Sequence, residues 1–164
     1  MAADQPLLAL DVPGDTWVMH LELPWPPTVN HYFMEYAMPP SVAKMEAQLH
    51  AHGWKGFHQW LRKNTRTMKR VGERGHKYRA DVQEIVLQTR CNKGLQGPLK
   101  MKLRAYPPDK RERDLSNLYK CIEDALESAC VYLSDYQIAA HDSRRELETV
   151  KGGLVVVELT PMVF

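Results

Sequence analysis

Between Arg113 and Ser128 the chain reads RDLSNLYKCIEDALES. Two carboxylates, Asp114 and Asp124, flank a lysine, Lys120, in this stretch. It starts in the manner of a divalent-cation site, with an acid, one spacer and then a polar residue, because hard cations take oxygen donors. The polar residue is Ser116, where a second carboxylate would bind a cation better. Three readings stay open at this level: a metal centre with an unusual ligand set, a disarmed one, or a well-capped helix. In the last, Asp114 or Ser116 is the cap, and Lys120 and Asp124 are an i,i+4 pair worth only a few tenths of a kcal/mol. Two neighbours weigh on the choice. Asp135 and Gln137 follow in a tight turn, and eight Lys or Arg against one Glu lie between Arg62 and Arg79. Such a basic block suits a phosphate backbone, although a solvated helix face would look the same.

A helix must carry the central residues. Over Asn117 to Ala129, Leu118, Ile122, Ala125, Leu126 and Ala129 share one face, which calls for burial. Lys120, Glu123, Asp124 and Glu127 lie opposite. At about 100° per residue, Ser116 falls within about 20° of Glu123. Around this helix the pattern predicts a strand over 16–23, closed by the prolines of PWPP, and a helix over 41–52 broken by Gly53. A second helical piece over 55–63 and an amphipathic helix over 78–89 follow. Residues 99–106 alternate so regularly that one face must be core and the other basic. A strand over 138–150, a turn at KGG and a Val-rich strand over 154–160 read as a terminal hairpin. The expected class is α+β, a single domain with a mixed sheet, packed helices and a C-terminal β-hairpin.

Composition sets the outer bounds. A chain of 164 residues is long enough for one domain with a substantial core. Its formal net charge of +2 says little, so the distribution of charge matters more. Cys91, Cys121 and Cys130 lack the close spacing of a zinc site, and a reduced cytosolic compartment fits them. No apolar run approaches the ~20 residues of a membrane span, and the first residues lack a secretory pattern. Residues 1–15 are expected to be a flexible leader.

Four segments, LPWPPTVNHY (Leu23 to Tyr32), GHKYRADV (Gly75 to Val82), RDLSNLYKCIEDAL (Arg113 to Leu126) and VYLSDYQI (Val131 to Ile138), occur in the order seen in one family. In these the chain resembles the RusA Holliday-junction resolvases of phages and prophages. The resemblance implies a RusA-like nuclease domain over 16–164 with a helical insertion at about 35–66. It also implies a Mg²⁺-dependent endonuclease, with Mn²⁺ able to substitute, that acts as a homodimer on four-way DNA junctions in the cytoplasm of a bacterial host. The family pattern has D-x-D-N, a lysine three residues beyond the Asn, an Asp on the same helix and a D-D-x-Q turn. Asp114, Asn117, Lys120 and Asp124 match it, as do Asp135 and Gln137 in the turn. Ser116 and Ser134 depart from it, each standing where the family has an acid.

On that basis Asp114, Glu123, Asp124 and Asp135 are the expected metal ligands. Glu123 would make up for Ser116, since helical side chains lean towards the N-terminus. Lys120 would stabilise the phosphate in the transition state or protonate the leaving oxygen, or else it only neutralises Asp124. Ser116, Asn117 and Gln137 would support the site. Lys69, Arg70, Arg74, Lys77, Arg79, Lys110, Arg111 and Arg113 would contact DNA phosphates without reading sequence. Trp54, Phe57 and Trp60 are read as packing residues. The loss of a carboxylate at Ser116 leaves an alternative, a junction-binding protein of the same fold that cuts weakly. A further alternative, an interaction module with a decorative acidic helix, would show no salt-dependent DNA affinity.

Overall fold

A computed structural model of the chain describes residues 17–162. The expected leader over 1–15 lies outside the described residues. The elements run β1 (Met19–Pro24), α1 (Val29–Tyr32), β2 (Phe33–Met38), α2 (Val42–Asn64), β3 (Arg66–Val71), α3 (Glu73–Gln88), β4 (Leu99–Tyr106), α4 (Ser116–Ser128), a short 3-10 turn (Asp135–Gln137), β5 (Ile138–Arg145) and β6 (Leu154–Pro161). The class is α+β, as the sequence pattern requires. The chain divides into two compact units, one formed by Phe33–Gly72 and the other by the remainder.

The larger unit holds a four-stranded sheet in the order β1-β6-β4-β5. β6 pairs antiparallel with both β1 and β4, while β5 pairs parallel with β4. Alternation explains the strands. Met19, Leu21 and Leu23 of β1 are buried, as are Leu99, Met101, Leu103 and Ala105 of β4. β6 is flanked on both edges and buries Val155, Val156, Val157 and Leu159, which is why it reads as a Val-rich run rather than a clean alternation. A parallel pair needs a long crossover, and α4 supplies it between β4 and β5. Its buried stripe, Leu118, Cys121, Ile122, Ala125 and Leu126, matches the apolar face read from the sequence, with Cys121 added. α3 turns Gly75, Tyr78, Val82 and Val86 inwards and packs against α4.

The expected terminal hairpin is corrected by the topology. KGG does turn the chain, with Gly152 and Gly153 at φ of 86° and 76°, but β5 and β6 are not neighbours, because β4 lies between them. The link from Glu146 to Gly153 crosses the end of β4, held by Glu146 N–H donating to Ala105 O at 2.9 Å and Val150 N–H to Pro107 O at 3.0 Å. A tight turn predicts adjacency only when no other strand competes for the edge. Here β4 takes it, paired with β6 along its whole length. A Cβ at Gly153 would meet Trp25 at 2.7 Å, so that glycine is needed for close approach as well as for its φ. β5 ends at Arg145 rather than near Val150, and its register slips by one residue opposite Leu99 and Lys100, as at a bulge.

The smaller unit pairs β2 and β3 as an antiparallel ribbon. The sequence reading has only the basic block there, because the two strands are far apart in the chain and neither alternates cleanly. α2 is interrupted at Gly53, at φ 60° and ψ 179°, as the glycine suggested, and none of its residues is buried. Phe57 stacks on Trp60 with centroids 6.3 Å apart and meets Trp54 edge-on at 6.2 Å. These aromatics pack on one another without joining a core.

Candidate active site

The polar face of α4 organises the chemistry. Its apolar stripe is locked into the core, so Lys120, Glu123, Asp124 and Glu127 are turned outwards together. The turn after α4 brings Asp135 back to this face. Lys120 Nζ donates to Asp124 Oδ1 at 2.7 Å and to Asp135 Oδ2 at 2.9 Å. Two carboxylates distant in the chain thus share one ammonium. The hydrogen bonds it donates to Asp124, and then to Asp135, raise the Lys120 pKa against the opposing effect of partial burial. Asp124 is the less exposed of the pair, and its other oxygen, Oδ2, accepts from Arg79 Nη2 at 3.4 Å. Arg79 Nε donates to Tyr32 Oη at 2.7 Å, and its guanidinium carbon lies 5.6 Å from the Tyr32 ring centre. Burial works against the Arg79 charge, but the Tyr32 and Asp124 contacts outweigh it and the net pKa shift is upward.

Asp135 is fixed by its turn. Ser134 caps the 3-10 segment, accepting from Tyr136 N–H at 3.3 Å, and Gln137 completes a capping box. Gln137 Oε1 accepts from the N–H groups of Leu133 and Ser134, while its Nε2 donates to Leu95 O and Gly97 O. Glu127 Oε2 accepts the Asp135 N–H at 2.9 Å. Gln137 is therefore a staple, and Ser134, where the resemblance leads one to expect an acid, is a cap.

Glu123 faces a different partner. Its Oε1 lies 3.0 Å from His141 Nε2 on β5, and the His141 ring packs on Tyr119 at 5.0 Å. Burial raises the Glu123 pKa, with His141 and then Lys120 opposing the shift. Asp114 sits at the entrance to α4, where Oδ1 accepts the Ser116 N–H at 3.0 Å. The structure thus brings Lys120, Asp124 and Asp135 together, places Glu123 beside them on His141, and gives Asp114 a turn-forming contact. Asn117 and Ser116 are exposed in the first turn of α4. Sequence reasoning missed His141, Tyr119 and Tyr32. Glu127 was legible only as a member of the polar face.

Two hard oxygen donors converge on the Lys120 ammonium, an internal stand-in for a cation. That donor set fits Mg²⁺, which binds through one or two carboxylates and completes its shell with water and substrate phosphate. Asp124 and Asp135 are the residues that could hold it. Among the described residues no three His, Cys, Asp or Glu groups form a ready cage. Beside the pair lies an open hollow of about 310 Å³ lined by Arg79, Asp124, Glu127, Ser128 and Leu133.

The basic residues sort by partner. Arg113 forks onto Asp109 at 2.7 and 2.8 Å and lies over Trp25, which holds the Asp109 carboxyl well below its usual range. Arg111 also reaches Asp109, Lys77 pairs with Asp81, and Lys69 with Glu35. Arg74 and Lys110 are exposed. No helix among the described residues is long and apolar enough to cross a membrane.

Known proteins resemble this chain along most of its length. The family model described as Endodeoxyribonuclease RusA matches residues 55–158. The chain is 27% identical over 143 residues to the crossover junction endodeoxyribonuclease rusA of Enterobacteria phage 82, covering 87% of this chain and 94% of that protein. It is 28% identical over 142 residues to the crossover junction endodeoxyribonuclease RusA of Escherichia coli K12, covering 87% and 93% respectively. The Shigella sonnei protein of the same name is 27% identical over the same length.

Proposed function

The chain belongs to the RusA endodeoxyribonuclease family, and from that premise we propose that it resolves four-way DNA junctions by divalent-cation-dependent phosphodiester hydrolysis. The observation that carries the metal-dependent reading is the convergence of Asp124 and Asp135 on one ammonium. Mg²⁺, or Mn²⁺ in its place, would be held by these two carboxylates, and Asp114 and Glu123 would have to leave Ser116 and His141 to add further oxygens. When bound, the ion supplies a nucleophilic water at neutral pH and offsets charge on the scissile phosphate.

The chain's own side chains account for the rest. Arg79 holds Asp124 in place through its Tyr32-anchored guanidinium, and the Gln137 staple does the same for Asp135. Lys120, the cation seated between the two carboxylates, would be the group to meet a phosphate oxygen of the substrate. An ammonium is charged at neutral pH, which favours electrostatic stabilisation of the phosphate over proton donation. The exposed cations Arg70, Arg74 and Lys110, with Lys69, Lys77, Arg111 and Arg113 around their ion pairs, meet DNA phosphates. Two symmetric cuts require two copies of the site, so the working form is a C2 homodimer. It acts where its DNA substrate is, in the host cytoplasm.

The test is a labelled four-way junction incubated with Mg²⁺, Mn²⁺ or EDTA. Nicked duplex products are expected with either metal and none with EDTA. Asp124→Asn is expected to slow cleavage by about a hundredfold or more, the scale of losing one preorganised charge interaction, while junction binding persists. Cleavage at the parent rate by that variant would remove Asp124 from the mechanism. A second reading, a junction binder that cuts weakly, is favoured by two observations. Ser116 brings no charge, and Lys120 already fills the point between the carboxylates. It predicts a gel shift with little or no product at any Mg²⁺ concentration.

A further inference from the structure

The β2–β3 ribbon leaves a row of large apolar side chains exposed. Antiparallel partners share a face and faces alternate along each strand. The register Met34↔Arg70, Tyr36↔Met68, Met38↔Arg66 therefore puts these six residues on one side. All four of its large apolar side chains are exposed: Met34 49%, Tyr36 40%, Met38 51% and Met68 41%. Arg70 lies over the Tyr36 ring at 5.2 Å, and Arg66 is exposed at the other end. The face carries no carboxylate, since Glu35 lies on the opposite side with Lys69.

An apolar strip of this kind needs an occupant, and its charge selects among the candidates. Residues 33–72 carry seven Lys or Arg and two Glu, a formal +5. Two copies set face to face on this strip would bring arginines together with no acid to pair them, whereas a polyanion is attracted. The geometry suits bases rather than phosphates alone. Alternate side chains on one face of a strand are about 6.8 Å apart, room for one base of about 3.4 Å thickness between them. A tyrosine ring and a planar guanidinium stack on any base, and flexible apolar side chains serve as wedges between bases.

We infer that this face, formed by Met34, Tyr36, Met38, Arg66, Met68 and Arg70, binds unstacked nucleobases, such as those at the branch point of a junction. The inference rests on the junction-resolving reading and extends it. It assigns recognition of unpaired or unstacked DNA to residues other than those proposed to hold the metal.

The test compares anisotropy in EDTA for three probes: a four-way junction, a linear duplex of the same sequence and oligo(dT). Tyr36→Ala is expected to lose about tenfold or more on the junction and on oligo(dT), the scale of one base–aromatic stack. On the duplex it should stay within about twofold. Tyr36→Phe should retain binding, because the ring rather than the hydroxyl makes the contact. Sedimentation should give the same oligomeric state for all variants. Equal losses on all three probes, no loss on any, or an altered oligomeric state in Tyr36→Ala would each overturn the inference. Metal-dependent cleavage of the junction by the unsubstituted chain tests the premise separately. A chain that never cuts but binds oligo(dT) through Tyr36 refutes the proposed activity and supports this face.

Discussion

The two compact units differ in what holds them and in what they offer to a partner. Every buried hydrophobic side chain among the described residues lies in the unit built from residues up to Tyr32 and from Glu73 onwards. Residues 33–72 bury none. Charge divides the same way. Those residues carry a formal +5, while the other 124 carry fifteen Lys or Arg and eighteen Asp or Glu, a formal −3. A well-packed core can hold carboxylates in fixed positions, which metal-assisted hydrolysis needs. A segment without a core keeps cations and rings on its surface, which suits non-specific contact with DNA. A net charge of +2 for the whole chain conceals this division, so summed charge alone would have given no reason to look for a nucleic-acid surface.

The contrast in packing can be broken directly. Leu126→Ala, at a fully buried position of α4, is expected to cost about 2–5 kcal/mol. Trp54→Ala, at a side chain 67% exposed, should stay within about 1 kcal/mol. Urea unfolding of both variants measures the gap, and a Trp54 cost matching that of Leu126 would mean that the small unit has a packed interface of its own. Arg79→Ala probes the link between core and site. It strips Tyr32 and Asp124 of a partly buried partner and should cost about 1–3 kcal/mol. Arg79→Lys should recover little of the loss, because an ammonium cannot reproduce the fork.

The smallest effect concerns Glu123 and carries a sign. Its folded pKa is raised, chiefly by burial, so ionising it costs more in the folded state than in the unfolded one. That penalty is absent below the unfolded pKa, grows as pH rises through the window between the two values, and is complete above the folded one. Glu123→Gln should therefore gain stability relative to the parent at pH 8 and show no such gain at pH 4, as read by denaturant midpoints at the two values. An unchanged difference between the two pH values would mean that contact with His141 fully offsets the burial.

Much of this molecule could be read from the chain. The alternation of Leu99 to Ala105 set β4 residue by residue, and the apolar stripe from Leu118 to Leu126 set which way α4 must face. With that face buried, Lys120, Glu123, Asp124 and Glu127 had to point away from the core. Gly53 marked the interruption of α2. These features follow from short-range periodicity and burial, which sequence carries locally. Pairing across long stretches of chain is different. β2 and β3 are joined by a helix of 23 residues, and neither strand advertises its partner. The KGG turn predicted neighbours that β4 separates, because edge competition among strands is a property of the whole sheet.

The site divides along the same line. Residue type and spacing singled out Asp114, Lys120, Asp124 and Asp135, and the family resemblance marked the departures at Ser116 and Ser134. Only tertiary structure put Asp135 against Lys120, gave Glu123 to His141, and drew Arg79 from the basic block into a contact with Asp124 and Tyr32. Helical and strand periodicity fixes directions within an element, so the sequence determined which side chains face outwards. Distances between elements depend on how all the buried faces fit together, and that sum over the whole core decided which of those side chains meet.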